Sequence, residues 1–172
     1  MGILVAIEGL DGAGKNTLMR GIAEAAEESG VRLFSRSFPS YGLSVHADLA
    51  AEALRGGHGD LADSVYAMAL LFALDRREAA AELREALDRY DLVLCDRYVA
   101  SNAAYSAARL AQDADGEVVE WVRELEFDRF DLPRPTHQLL LGVPPEVAMD
   151  RAAGRAAADS ARAKDAYERD ED

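Results

Sequence analysis

The stretch ILVAIEGLDGAGKNT, residues 3–17, decides the fold. Its first part, Ile3 to Ile7, is a continuous apolar run stopped by Glu8 and Gly9. That reads as a strand buried on both faces, at the centre of a parallel sheet. From Lys15 to Ser29, Leu18, Ile22, Ala25 and Ala26 recur at helical spacing, and Gly30 supplies the residue that commonly follows a helix end. Between the two lies GLDGAGK, residues 9–15, which fits G-x-x-x-x-G-K in the strand–loop–helix context that gives the motif its meaning. Such glycines let backbone N–H groups converge on an anion, the helix N-terminus adds its dipole, and Lys15 can reach the outer phosphates of a nucleotide. The pattern next asks for a Ser or Thr whose hydroxyl meets Mg²⁺. Here Asn16 stands in that place and Thr17 follows it, so metal placement stays open.

Working outward, strand and helix patterns alternate. Val31 to Phe38 reads as a second strand, broken by Pro39 and the turn around Gly42, and a short helix covers Val45 to Leu54. Leu61 to Tyr90 reads as one long helix whose middle, YAMALLFAL (residues 66–74), is apolar all round and needs cover on two sides, from the sheet and from another helix or a second subunit. Leu92 to Cys95 is a third buried strand ending in Asp96 and Arg97, followed by a helix to about Ala111. After a polar turn at 113–116, an amphipathic helix carrying Val118, Val119, Val122 and Leu125 runs to about Phe130. Leu139 to Val143 is a fourth strand, and a helix from Pro144 and Pro145 runs to Arg151. Residues 154–165, rich in Ala, Arg and Asp, lack the apolar stripe of a core helix and read as a mobile lid. The expected architecture is a single α/β domain over residues 1–172, a parallel sheet flanked by helices, with a lid at about 151–165.

Composition narrows the function classes. The formal net charge of −13 opposes general binding to nucleic acid or to an anionic membrane. The lone Cys95 excludes an internal disulfide framework and fits a reducing cytoplasm, with Cys95 itself an inert strand residue. His46, His58 and His137 are too scattered to suggest a metal cluster with it. The amino terminus has no basic leader and only a short apolar run, so neither a signal peptide nor a membrane span is expected.

In open parallel sheets ligands bind beyond the carboxyl ends of the strands. Phe38, Pro39 and Tyr41 follow the second strand, and Arg97, Tyr98, Ser101, Asn102 and Tyr105 follow the third. With a helix starting near Val99, Ser101, Asn102 and Tyr105 lie on adjoining parts of one face, either simply solvated or turned to a small ligand. Phe72 and Arg76, four apart, offer an aromatic plane beside a planar donor fork, which suits a nucleobase. The plainer alternative is a core Phe72 with Arg76 in a surface ion pair. Asp96 fits the acid that holds Mg²⁺ in phosphate-loop proteins, or else caps the next helix or pairs with Lys15.

The strings GLDGAGK, FPSYG, LFALDR, DRYVASNAAYSAAR and DAYERD, in this order, closely resemble bacterial thymidylate kinases, particularly the actinobacterial ones, over Ile3 to Asp170. The resemblance implies the phosphate-loop nucleoside monophosphate kinase fold and phosphoryl transfer from Mg·ATP to dTMP in a cytoplasmic homodimer. It implies that Gly9, Asp11, Gly12, Ala13, Gly14, Lys15, Asn16 and Thr17 surround the ATP phosphates, with Arg151, Arg155 and Arg162 reaching them from the lid. Arg155 is expected to matter most of the three, although arginines among Asp159 and Asp165 are also what a merely solvated loop would carry.

For the acceptor, the resemblance implies that Phe72 stacks on thymine, Arg76 and Asn102 meet its edge, and Arg97 holds the phosphate. Tyr105 crowds the sugar 2′ position, Asp11 approaches the sugar and the metal, and Phe38, Pro39, Tyr41, Ser101 and Tyr167 complete the pocket. Asp11, Asp96 and Glu168 would face Mg²⁺. Lys15, Arg97, Arg155 and Asp11 make up the expected catalytic set. Chains of the family continue through a last strand and helix that help hold adenine; the expectation here is either that these lie beyond the given residues or that the protein is short and its adenine site incomplete. The competing expectations are a kinase for another nucleoside monophosphate, or a nucleotide-binding regulator without turnover, made thinkable by Asn16.

Overall fold

The structure is a computed structural model. It describes the backbone of residues 2–158 and the side chains through Gly154. Four strands, β1 (Ile3–Glu8), β2 (Leu33–Ser37), β3 (Leu92–Asp96) and β4 (His137–Leu140), form a wholly parallel sheet in the order β2-β3-β1-β4. The unbroken apolar run of β1 places it inside the sheet, in register with β3 (Val5 opposite Leu94) on one side and β4 (Val5 opposite His137) on the other. Leu4, Ala6, Ile7, Val93, Leu94 and Cys95 are all buried, as expected of strands with both faces covered.

The chain divides into two compact units. The first, from residues 2–37, 82–98 and 134–158, carries the sheet with α1 (Lys15–Glu28), most of α4 (Ala80–Arg89) and α7 (Pro145–Ala158). The second, from residues 38–81 and 99–133, is helical. It holds α2 (Val45–Leu54), a 3-10 turn (Leu61–Asp63), α3 (Val65–Glu78), α5 (Val99–Arg109), α6 (Glu117–Arg123) and a π-helical turn (Glu124–Arg129). There α3 packs between α2 and α5. Met68 closes on Ala50, Ala53 and Leu54 of α2, and Val65 closes on Ala107 of α5 and Val118 of α6. Tyr66 meets Trp121 edge to face, with ring centroids 4.9 Å apart.

Three expectations are corrected. The long helix over 61–90 is three pieces. Ser64 caps α3 by accepting a hydrogen bond from the Ala67 N–H, so the helix starts afresh there, and it breaks again at Ala79. The fourth strand lies earlier than Leu139–Val143, because pairing with β1 brings in His137 and Gln138 and ends at Leu140. The last helix continues past Arg151 to Ala158, while residues 159–165 of the expected lid lie outside the described residues. Among the described residues no helix is long and apolar enough to cross a membrane.

Candidate functional site

In the sheet unit, β1 delivers the chain into the 9–14 loop, and Gly14, in the left-handed region at φ 99°, turns it into α1. Gly12 has φ 93°, and a Cβ there would stand 2.0 Å from the Ala148 carbonyl oxygen on α7, so only glycine fits. Lys15, the first residue of α1, is buried, and its Nζ donates to the carbonyls of Gly9 at 2.9 Å and Leu10 at 3.1 Å. Asp11 Oδ1 stands 3.9 Å from that ammonium and accepts a 2.8 Å hydrogen bond from Arg97 Nη2. Burial pushes the Lys15 pKa down and the Arg97 charge adds to this, against the pull of Asp11, Asp96 and Glu8.

Arg97 follows β3 with φ 61°, a left-handed conformation that costs a non-glycine residue about 1–2 kcal/mol. Its N–H donates to the Ile7 carbonyl, and the next N–H, of Tyr98, donates to the buried Glu8 carboxylate at 3.0 Å. These bonds tie the ends of β1 and β3 together and aim Arg97 at the loop. Asp96, at the end of β3, has its Oδ1 buried without a hydrogen-bond partner. Burial pushes its pKa up, against the charges of Lys15 and Arg97.

An orphaned hard oxygen beside a phosphate loop fits Mg²⁺, which takes one or two carboxylates and completes its shell from phosphate and water. Among the described residues no three His, Cys, Asp or Glu side chains gather as a cage for a metal. Asn16 and Thr17 are exposed on the first turn of α1. A cavity of about 610 Å³ beside the loop is lined by Ala13, Gly14, Thr17 and Leu18, by Gly21, Ile22 and Ala25 further along α1, and by Arg151. The backbone of Arg155 lies one turn beyond Arg151 on α7. Its side chain, and Arg162, Tyr167 and Glu168 altogether, lie outside the described residues.

In the helical unit, Phe38 is buried and joined to Pro39 by a cis peptide bond, and Tyr41 is exposed. Asp75 Oδ2 accepts from the Ser40 N–H at 2.9 Å, fastening this loop to α3. Phe72, half-buried, packs against the α2–α3 core. Ser101 and Tyr105 are half-buried on α5, and Asn102 between them is buried.

Arg76 is in an ion pair, but not the surface pair that its sequence context allowed. It is 3% exposed and bound through Nε and Nη2 to Glu126, which is fully buried. Asn102 Nδ2 donates to Glu126 Oε1 at 2.9 Å and to the Ala69 carbonyl at 3.0 Å. The structure thus brings Lys15, Asp11 and Arg97 together in one unit, and Arg76 and Asn102 in the other. Sequence reasoning missed Glu8, Asp75 and Glu126. A signal for Glu126 existed, because it continues the buried stripe of Val118 and Val122 at four-residue spacing, where a carboxylate needs a reason.

Comparison with known proteins gives the family. The thymidylate kinase family model matches residues 7–170. The thymidylate kinase of Mycobacterium tuberculosis (strain H37Rv) is 55% identical over 98% of this chain and 78% of its own length. A probable thymidylate kinase of Thermococcus gammatolerans is 35% identical over 90% of this chain and 72% of its own. The thymidylate kinase of Xanthomonas campestris pv. campestris (strain B100) is 36% identical over 90% of this chain and 62% of its own length. A parallel sheet feeding a glycine loop at Lys15, and a match of this extent, have one reading: the chain belongs to the thymidylate kinase family.

Proposed function

We propose that the protein transfers the γ-phosphoryl group of Mg·ATP to dTMP, giving dTDP and ADP. The observation that carries this reading is the cluster of Lys15, Asp11 and Arg97 at the carboxyl ends of β1 and β3, in a chain of this family. A phosphate monoester is largely dianionic at pH 7, its second pKa being about 6, so the acceptor needs no general base. The protein's task is to bring two mutually repelling phosphates into line and to stabilise charge on the transferred group.

In this reading Gly9, Gly12, Ala13, Gly14, Asn16 and Thr17 cradle the donor phosphates, and Lys15 exchanges its carbonyl partners for phosphate oxygens. Arg97 holds the acceptor phosphate, kept in place by Asp11. Phe72 stacks on the base, Arg76 and Asn102 read its edge, Tyr105 excludes a 2′-hydroxyl, and Phe38, Pro39, Tyr41, Ser101 and Tyr167 close the pocket. Asp96, with Asp11 and Glu168, would hold Mg²⁺, and the cavity beside α1 gives room for the rest of the donor. Held there, Mg²⁺ would supply positive charge against the charge that develops on the phosphates during transfer. Arg151, Arg155 and Arg162 supply further positive charge as the lid closes and water is excluded. A cytoplasmic homodimer completes the proposal, supported by exposed Tyr66 and Leu70 one turn apart on the apolar helix α3.

The test is ADP release from Mg·ATP with dTMP, dUMP, the ribose form of TMP, dCMP and dGMP offered separately. Turnover strongly favouring dTMP is expected. Preference for another acceptor would move the protein to a different nucleoside monophosphate. Binding of dTMP without turnover of any acceptor would make it a nucleotide-binding regulator.

A further inference from the structure

Glu126 belongs to no part of the site as the sequence outlines it, yet it touches both residues expected to meet the nucleobase edge. It lies in the π-helical turn that prolongs α6, and it is the only fully buried carboxylate among the described residues to receive three side-chain N–H groups. Oε2 accepts from Arg76 Nε. Oε1 accepts from Arg76 Nη2 at 2.7 Å and from Asn102 Nδ2 at 2.9 Å.

The third bond has a consequence for Asn102. A side-chain amide presents two N–H donors at one end and an acceptor oxygen at the other, and its neighbours decide which end faces where. Both donors of Asn102 are engaged, one by Glu126 and the other by the Ala69 carbonyl of α3. Turning the amide over would set Oδ1 against a carboxylate and a carbonyl, exchanging two hydrogen bonds for two lone-pair repulsions in a buried place. The amide is therefore locked, and the end it can offer a ligand is Oδ1, which only accepts.

We infer that Glu126 is a positioning residue for base selectivity. By holding the Asn102 nitrogen inward it forces Asn102 to present an acceptor, which matches an imide N–H and repels a ring nitrogen bearing a lone pair. This rests on the reading above that Asn102 faces the base edge. Thymine and uracil carry N–H at ring position 3, and cytosine carries a bare nitrogen there. Only a charged carboxylate serves. Glutamine at 126 would offer one acceptor oxygen and one N–H₂ where three donors converge, and one donor would then face another.

The experiment compares kcat/KM for dUMP and dCMP, which differ at this edge and share hydrogen at ring carbon 5, in the wild type and in Glu126→Gln. The wild type is expected to prefer dUMP strongly. In Glu126→Gln the freed amide can turn to give N–H to cytosine, so the ratio should fall at least tenfold, beyond any common loss of activity. A purely structural role would lower activity on both substrates and leave the ratio unchanged, which would overturn the inference.

If Glu126→Gln does not fold, side-chain amide hydrogen exchange in the wild type decides the matter. Both Asn102 N–H protons should be protected without nucleotide and remain so with dUMP. A proton protected only when dUMP is bound would show the amide donating to the base, and would refute the lock. A wild type that turns over neither dTMP nor dUMP refutes the kinase reading and this assignment together. A wild-type preference for dUMP that Glu126→Gln retains refutes this assignment alone.

Discussion

Replacing Arg76 by methionine removes one member of an ion pair whose partners are 3% and 0% exposed. Methionine keeps much of the length and apolar stem, so the principal loss is the guanidinium. The Glu126 carboxylate then keeps Asn102 as a donor but loses two of its three N–H partners in a place water does not reach. Removing one partner of a buried pair costs about 3–5 kcal/mol, nearly all of it the penalty of the stranded charge. With a urea slope of about 2 kcal/mol per molar, the unfolding midpoint should fall by about 1.5–2.5 M.

Changing Glu126 to leucine as well takes the stranded charge away. The double variant should then lose only what Asn102 loses, one acceptor for a buried N–H, about 1–3 kcal/mol. Urea unfolding of the wild type, Arg76→Met and the double variant, followed by circular dichroism, measures both numbers. A single variant that loses less than about 1 kcal/mol, or a double variant as unstable as the single, would refute the reasoning, since neither result is compatible with a dry pair.

Three other outcomes follow from local geometry. Gly12→Ala should lower ATP affinity at least tenfold and reduce the melting temperature. The reasons are a positive φ that costs about 1–2 kcal/mol for alanine and a Cβ that collides with the Ala148 backbone oxygen, so calorimetry with and without ATP checks it. Gly21→Ala, mid-helix with open space around its Cβ, should by contrast raise stability by about 0.5–1 kcal/mol. Asp91 accepts from the backbone N–H, Nε and Nη2 of Arg32, and these bonds lower its pKa to about 2 from 3.8. Because the folded-state value is depressed, the associated stability is present above the unfolded value and fades as pH falls from about 4 to about 2. Carbon-detected titration by NMR should find the Asp91 pKa raised in Arg32→Ala, yet still below its ordinary value, because the substitution keeps the backbone N–H that Asp91 accepts.

The sequence made β1, the phosphate loop and α1 legible because three independent signals follow one another between Ile3 and Ala26: an apolar run, glycines at fixed offsets and a helical stripe. The sequence suggests one long helix because apolar character persists across both breaks. Ser64 was a visible cap signal outweighed by the apolar run after it, and Ala79 carries no local mark at all. β4 was displaced because the apolar run LLLGV suggested a buried strand, whereas pairing with an already placed neighbour settled the register and took in His137 and Gln138. In the candidate site, residues recognisable by spacing within one segment, such as Lys15, Phe72 and Arg76, could be singled out. Glu126 could not be paired with Arg76, because their contact spans fifty residues and arises only when α3, α5 and the end of α6 pack.

Lys15 gives the loop a further property. Its ammonium grips two carbonyls of its own loop, so under the proposed function a phosphate would displace an internal ligand of Lys15 and would not fill a void. The lysine works as a counter-anchor that ties the carbonyls of Gly9 and Leu10 to the start of α1. Its removal should therefore loosen the loop itself, and under the proposed function a measured nucleotide affinity would be the difference between two grips of the same hand.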